Sequence, residues 1–182
     1  LATPFPKPGR SQIFAMKTIY QDYTRYNLWA NERLIEDFSN QSDDLLERYI
    51  ETSFPSVKLT LLHIWDAELL WLQRLQGVSP SQLPSKDFQG TMSDVFTKVR
   101  ETSLDFIHFI DNQPDDFFAR VLHFKTISYG EASQQAAWMV HHCMNHSTFH
   151  RGQLITLGRQ LGIEKFPATD LIYYLRERNA DC

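Results

Sequence analysis

HHCMNHSTFHRGQL, residues 141–154, sets His146 and His150 four positions apart within a run whose apolar residues recur at helical spacing. Side chains at i and i+4 share one face of an α-helix, so the two imidazoles point the same way. At about 100° per residue, His142 and Cys143 fall on that side as well, together with Met139 and Leu157, while His141 points away. A helix face that mixes core residues with polar ligand types buries those groups at a cost unless something satisfies them. Imidazole is the commonest protein ligand for a transition metal, and a pair at this spacing presents two nitrogens to one ion. A single histidine of this kind is more often a core imidazole bonded to a carbonyl. The pair together points to metal binding, with a third ligand from another helix.

Working outward, this segment belongs to a helix predicted from Glu131 to about Leu161, with Gly162 just past its end. Upstream, FFARVLHFKTISYG (117–130) is dense in aromatic and β-branched residues and too short for another bundle helix, so it predicts a β-hairpin or extended crossover closed by Gly130. A third helix is predicted from Thr91 or Ser93 through Val95, Phe96, Val99, Leu104, Ile107 and Ile110 to Pro114, after the polar loop VSPSQLPSKDFQGT. The second runs from Val57, capped by Ser56, to about Gln76, and is apolar nearly all round, which makes it the most buried. The first covers Lys17 to about Asn40, with Tyr20, Tyr23, Ala30, Leu34 and Phe38 on one side. A short last helix is expected from Asp170 to Arg178. The sum is an all-α fold: an antiparallel four-helix bundle with a short hairpin or crossover before the last long helix and a short C-terminal helix.

The chain has 182 residues, 42% of them apolar, enough for one domain with a sizeable core. Residues 16–182 are read as that domain. The proline-rich stretch LATPFPKPGRSQIFA (1–15) lacks the long apolar core of a signal peptide and reads as a tag or linker remnant. A net charge of −4 offers little support for binding a phosphate backbone, and no apolar run is long enough to span a membrane. Two cysteines, Cys143 and Cys182, make a poor disulfide framework and fit a reducing cytoplasm.

His63, in the most apolar helix, is the outside candidate for the missing ligand. Alone it would read as a satisfied core group, and it gains weight only because bundles build metal sites from facing helices. His108 and His123 carry no such pattern and read as surface or boundary residues. Asn27 and Asn31 form an i,i+4 amide pair that either lines the pocket or makes interhelical hydrogen bonds. Asp66, one turn after His63, and Gln153, one turn after His150, can orient a ligand imidazole by accepting its second N–H. Cys143 reads as a fourth ligand, a redox-sensitive neighbour or a small core residue, the last being commonest. Arg151 and Gly152 read as packing and partner contacts, and Glu68 as a surface charge. A di-iron carboxylate bundle is disfavoured, because no Glu-x-x-His motif occurs.

YNLWANERL (26–34), LLHIWDAE (61–68) and NHSTFHRGQL (145–154) together resemble the DinB family of four-helix-bundle proteins, over nearly the whole chain after Met16. The resemblance implies a divalent metal held by His63, His146 and His150. Many relatives carry a histidine directly before the last ligand, where this chain has Phe149. Three neutral imidazoles leave an ion its full charge and open coordination positions, the catalytic pattern. Two activities follow: a hydrolase acting through an activated water, or a transferase that activates a low-molecular-weight thiol. Family resemblance supports both, acting on a small molecule, and with the aromatic excess points to a homodimer. The rival is a non-catalytic stress-linked bundle with a structural metal. Three imidazoles accept zinc or nickel foremost, with iron or copper as alternatives.

Overall fold

The structure, a computed structural model, describes residues 10–180, with side chains from residue 16 onward. Its long helices are α1 (Arg10–Ser39), α3 (Val57–Leu75), α4 (Met92–Asp111) and α5 (Ala136–Gln160). A single helical turn, α2 (Asp43–Leu46), interrupts the first loop, and α6 (Leu171–Ala180) follows the bundle. Of the leader read at 1–15, residues 1–9 lie outside the described residues and residues 10–15 continue the backbone of α1, which therefore starts earlier than Lys17.

Local chemistry sets the ends. Ser56 Oγ accepts from the Leu59 N–H at 3.1 Å to start α3. Thr91 and Asp94 form a reciprocal capping box at the head of α4. Past α5 the chain turns through Gly162 at φ 92°, a conformation that costs an L side chain but not glycine.

The hairpin is present, and it is longer than the sequence suggests. Strand β1 (Val121–Thr126) pairs antiparallel with β2 (Gly130–Gln135), in a register running from Val121 opposite Gln135 to Thr126 opposite Gly130. The polar run GEASQQ was expected to open the last long helix, which instead begins at Ala136. Its strand form comes from pairing: the β1 ladder satisfies backbone groups that the first turn of a helix would leave orphaned.

α1 packs on α4 and α5, and α3 fills the opposite corner between the same two. Two apolar clusters show the chain direction. One end holds Leu34, Phe38, Leu61, Val95 and Leu157; the other holds Tyr20, Leu75, Ile110, Phe118 and Met139. α1 and α5 thus run one way, and α3 and α4 the other. The pairs α1 with α4 and α3 with α5 are antiparallel, because residues 76–91 return the chain along the bundle between α3 and α4.

Between the two clusters lies a buried polar layer. Glu68 is 0% exposed, which corrects its reading as a surface charge. On a helix that is apolar all round, the wheel offers no outer side to assign. Glu68 accepts from Asn27 Nδ2 (2.7 Å), Asn31 Nδ2 (3.1 Å), Ser103 Oγ (2.7 Å) and Ser147 Oγ (3.2 Å), drawing two groups from α1 and one each from α4 and α5. Arg151, 1% exposed, donates through Nη1 to Asn27 Oδ1 (2.5 Å) and Asn31 Oδ1 (3.0 Å), and through Nη2 to Thr148 Oγ1 (2.8 Å). Each amide therefore hands its donor to Glu68 and its acceptor to Arg151.

Candidate metal centre

His63 stands on α3, and His146 and His150 stand on α5. The antiparallel contact of these helices brings one nitrogen from each ring within 4.8 Å of the others, a grouping able to hold a metal ion. His146 Nε2 lies 3.1 Å from His63 Nε2 and 3.1 Å from His150 Nε2. Around a tetrahedral ion with metal–nitrogen bonds of about 2.0–2.1 Å, ligand nitrogens stand roughly 3.3 Å apart, close to the two separations from His146.

The protons agree with the distances. Gln153 Oε1 accepts from His150 Nδ1–H at 2.7 Å, so the His150 Nε2 lone pair turns inward toward the other rings. Three convergent nitrogens with at most two N–H groups among them cannot satisfy one another, and a cation resolves the conflict. His146 Nδ1 is buried with no partner. Burial first, then the nearby His150 ring, holds His63 down to about 4; burial, then His150, His63 and His142, holds His146 at about 3. Burial also lowers His150, opposed by the Gln153 bond. Near pH 7 His63 and His146 are neutral, as metal ligation requires.

Aromatic rings close the site. Phe54, from the loop ahead of α3, stacks on His63 with centroids 3.9 Å apart and meets His150 edge-on at 5.6 Å. Phe149 is 63% exposed and touches His150 edge-on at 5.0 Å. Beside it a cleft of about 260 Å³ is lined by Thr52, Thr60, Phe149, Gln153 and Leu157. On the other flank, His142 packs 6.0 Å from the His146 ring and edge-on to Trp71 at 4.9 Å.

The other candidate residues fall in different places. Gln153 meets His150, as its one-turn spacing predicts. Asp66 does not orient an imidazole: its carboxylate accepts from the Ser85 N–H (2.7 Å) and Oγ (2.5 Å), pinning the 3₁₀ turn at Pro84–Asp87 to α3. One helical turn from His63 directs Asp66 toward that loop rather than toward α5. Burial raises the Asp66 pKa, with the Ser85 bonds opposing. Asn27 and Asn31 bond to Glu68, Ser103 and Arg151, the interhelical alternative. Cys143 is fully buried within the apolar cluster and stands outside the three-histidine grouping. Burial, and then the Glu68 charge, push its thiol well up, so it stays protonated. Arg151 is no partner contact, being closed inside the polar layer. His108 and His123 are exposed. What the sequence reading missed is Glu68 and its partnership with Arg151; the Asn27 and Asn31 pair was the available signal, since two buried amides imply a polar group opposite them.

A helical bundle with a pocket of three convergent histidines on two facing helices is the class of protein that this fold and site define. The DinB family model matches residues 16–179, and the chain belongs to the DinB family. It is 26% identical over 161 residues to Protein DinB of Bacillus subtilis (strain 168), covering 82% of this chain and 90% of that protein. Its fold is similar to the crystal structure of a DinB-like protein from Bacillus cereus ATCC 10987, with a TM-score of 0.61 at 17% identity, over 76% of this chain and 89% of that one. Among the described residues no helix is long and apolar enough to cross a membrane.

Proposed function

We propose that this protein is a metal-dependent enzyme in which His63, His146 and His150 hold a divalent ion, zinc or nickel foremost, for S-transfer from a small thiol or hydrolysis of a small molecule. The observation that carries this reading is the convergence of three Nε2 atoms, with 3.1 Å separating His146 from each of the other two. When bound, such an ion supplies Lewis acidity and open positions at which a thiol or water becomes acidic at neutral pH.

The chain's own residues supply the rest. Gln153 fixes the tautomer of His150 and holds its ring in place. Phe54, stacked on His63, limits water on that side and lowers the local dielectric, which strengthens charge interactions inside the pocket. No carboxylate belongs to the grouping, so none of the ion's charge is neutralised by the ligands. The buried layer around Glu68 and Arg151 keeps α3 and α5 in register, since Ser147 and Arg151 sit next to His146 and His150 in the chain.

The test is a panel of small thiols and electrophiles, together with hydrolysable esters and amides, assayed with the metal-loaded protein against a His146→Ala control. Turnover that disappears in the control supports the proposal; equal rates in both overturn it. The second reading, a structural ion in a non-catalytic bundle, is favoured by the ligands coming from two different helices. Chelation separates the two. A staple lowers Tm by many degrees, whereas a catalytic ion leaves the bundle folded and removes activity.

A further inference from the structure

α5 holds two glycines beyond its histidines, and the chain itself explains only one of them. A Cβ on Gly158 would run into the Phe166 ring, so the segment that folds back after α5 requires glycine there. Gly152 has no such neighbour: its φ is not positive, and a Cβ built on it meets no described atom within 4 Å. Glycine inside a helix is destabilising relative to alanine, and one recurrent use of it is to let a ligand approach the backbone closely. Gly152 lines the cleft of about 260 Å³ that opens beside Phe149.

That cleft continues the seam that carries the metal centre. Because α3 and α5 are antiparallel, Thr60, one turn before His63, meets Gln153 and Leu157, which lie past His150, and all three line the cleft. Gln153 and Phe149 also touch His150, through the 2.7 Å hydrogen bond and the 5.0 Å edge-on contact. Thr52 lines the cleft from the loop ahead of α3, and its Oγ1 donates at 2.7 Å to the carbonyl of Phe54, whose ring stacks on His63. No charged side chain lines this space. Its other threonine protons are spent inside the chain, Thr60 on the Ser56 carbonyl (2.8 Å) and Thr156 on the Gly152 carbonyl (3.1 Å). A charged guest would lose hydration here and find no counter-charge, whereas an apolar guest gains by burial.

We propose that this cleft receives an uncharged, largely apolar arm of the small-molecule substrate, and that Gly152 leaves the room that sets the size of the arm. An apolar cavity of about 150 Å³ holds a benzene, so a single ring with a short chain fits the larger space beside Phe149. The assignment rests on the metal-centre reading for the position of the reacting end, and on the cleft alone for the chemistry of the arm.

The experiment uses the full chain, metal-free and loaded with cobalt(II), and follows 3-phenylpropan-1-ol by ligand-observed NMR, with 3-phenylpropanoate and 3-phenylpropylammonium as charged counterparts. Metal-free wild type is expected to bind the alcohol about fivefold more tightly than either ion. Gly152→Leu fills the cleft with a better helix former, so it should weaken the alcohol about tenfold while Tm stays at or above that of the wild type, and Gly152→Ala should weaken it less than about threefold. Cobalt should broaden the ring protons of the bound alcohol by paramagnetic relaxation. Equal affinity for the alcohol and the ions, or an affinity unchanged in Gly152→Leu, overturns the proposal. Bound cobalt without broadening overturns it too, since the cleft then lies apart from the centre. A wild type that binds no alcohol, but forms a dimer that Gly152→Leu splits, assigns the cleft to a second copy of the chain and overturns the substrate arm. Cobalt that fails to bind is a failure of the metal reading instead, and the cleft is then judged on the metal-free affinities alone.

Discussion

The three-histidine grouping and the layer around Glu68 draw on the same two helices, α3 and α5, and treat buried polarity in opposite ways. Around Glu68 and Arg151 every amide and hydroxyl named has a matched partner, and of the groups in this layer the Arg151 Nε is the one buried without a partner. Among the histidines, three nitrogens face one another and His146 Nδ1 has no partner. The first arrangement satisfies its carboxylate, amides and hydroxyls from within the chain and belongs to the fold. The second leaves three facing nitrogens that a cation would satisfy, and belongs to function.

Removing a member of the closed layer should have the largest effect. Glu68→Ala strands Arg151 and both amides in the core, and is expected to cost about 3–5 kcal/mol in urea unfolding, enough to leave the protein largely unfolded when warmed. A loss below about 1 kcal/mol would break the comparison, by showing that the layer is not holding the bundle. Gln153→Leu acts on the other region: metal affinity should fall roughly 10–100-fold by competition with a chelating dye, while the fold is kept. Unchanged affinity would mean that the His150 tautomer is set by something else.

A pH titration of the metal-free protein sharpens the contrast further. The folded-state values of His63 (about 4) and His146 (about 3) lie below that of an unfolded histidine, about 6.5. The unfolded chain takes up these protons first, so stability is whole above about pH 6.5, declines as pH falls toward 4, and levels off once the folded rings protonate. Chemical denaturation at stepped pH checks this, and His146→Ala should flatten the slope. The smallest effect is expected for His146→Ala on the metal-free fold at neutral pH. Truncating a half-buried ring that carries an orphaned nitrogen should change stability by no more than about 1 kcal/mol, even though metal stoichiometry by elemental analysis drops to zero.

Much of this was legible in the residues. The i,i+4 pair on α5 carries its own geometry, because helical periodicity alone places His146 and His150 together. His63 was legible only as an outside candidate, since one histidine on an apolar helix has no internal signal, and the family resemblance then gave it the ligand role. Glu68 was hidden for a related reason: when apolar residues surround a helix, the wheel cannot distinguish a buried carboxylate from an exposed one. The strand GEASQQ was hidden because its form comes from a partner segment and not from its own composition. Asp66 was misdirected by spacing, which gives the direction of a side chain but not which loop comes to meet it.

The polar layer also bears on how such a scaffold can change. Sliding α5 along the bundle by one turn would separate Ser147 from Glu68 on α3 and Arg151 from Asn27 and Asn31 on α1, so the alignment of α5 is enforced from inside, independently of the imidazoles. Ligand positions on the outer side are thereby released from any duty to maintain shape. A lineage built on this frame is free to exchange a histidine for another donor, or to discard the ion altogether, and still inherit the same backbone.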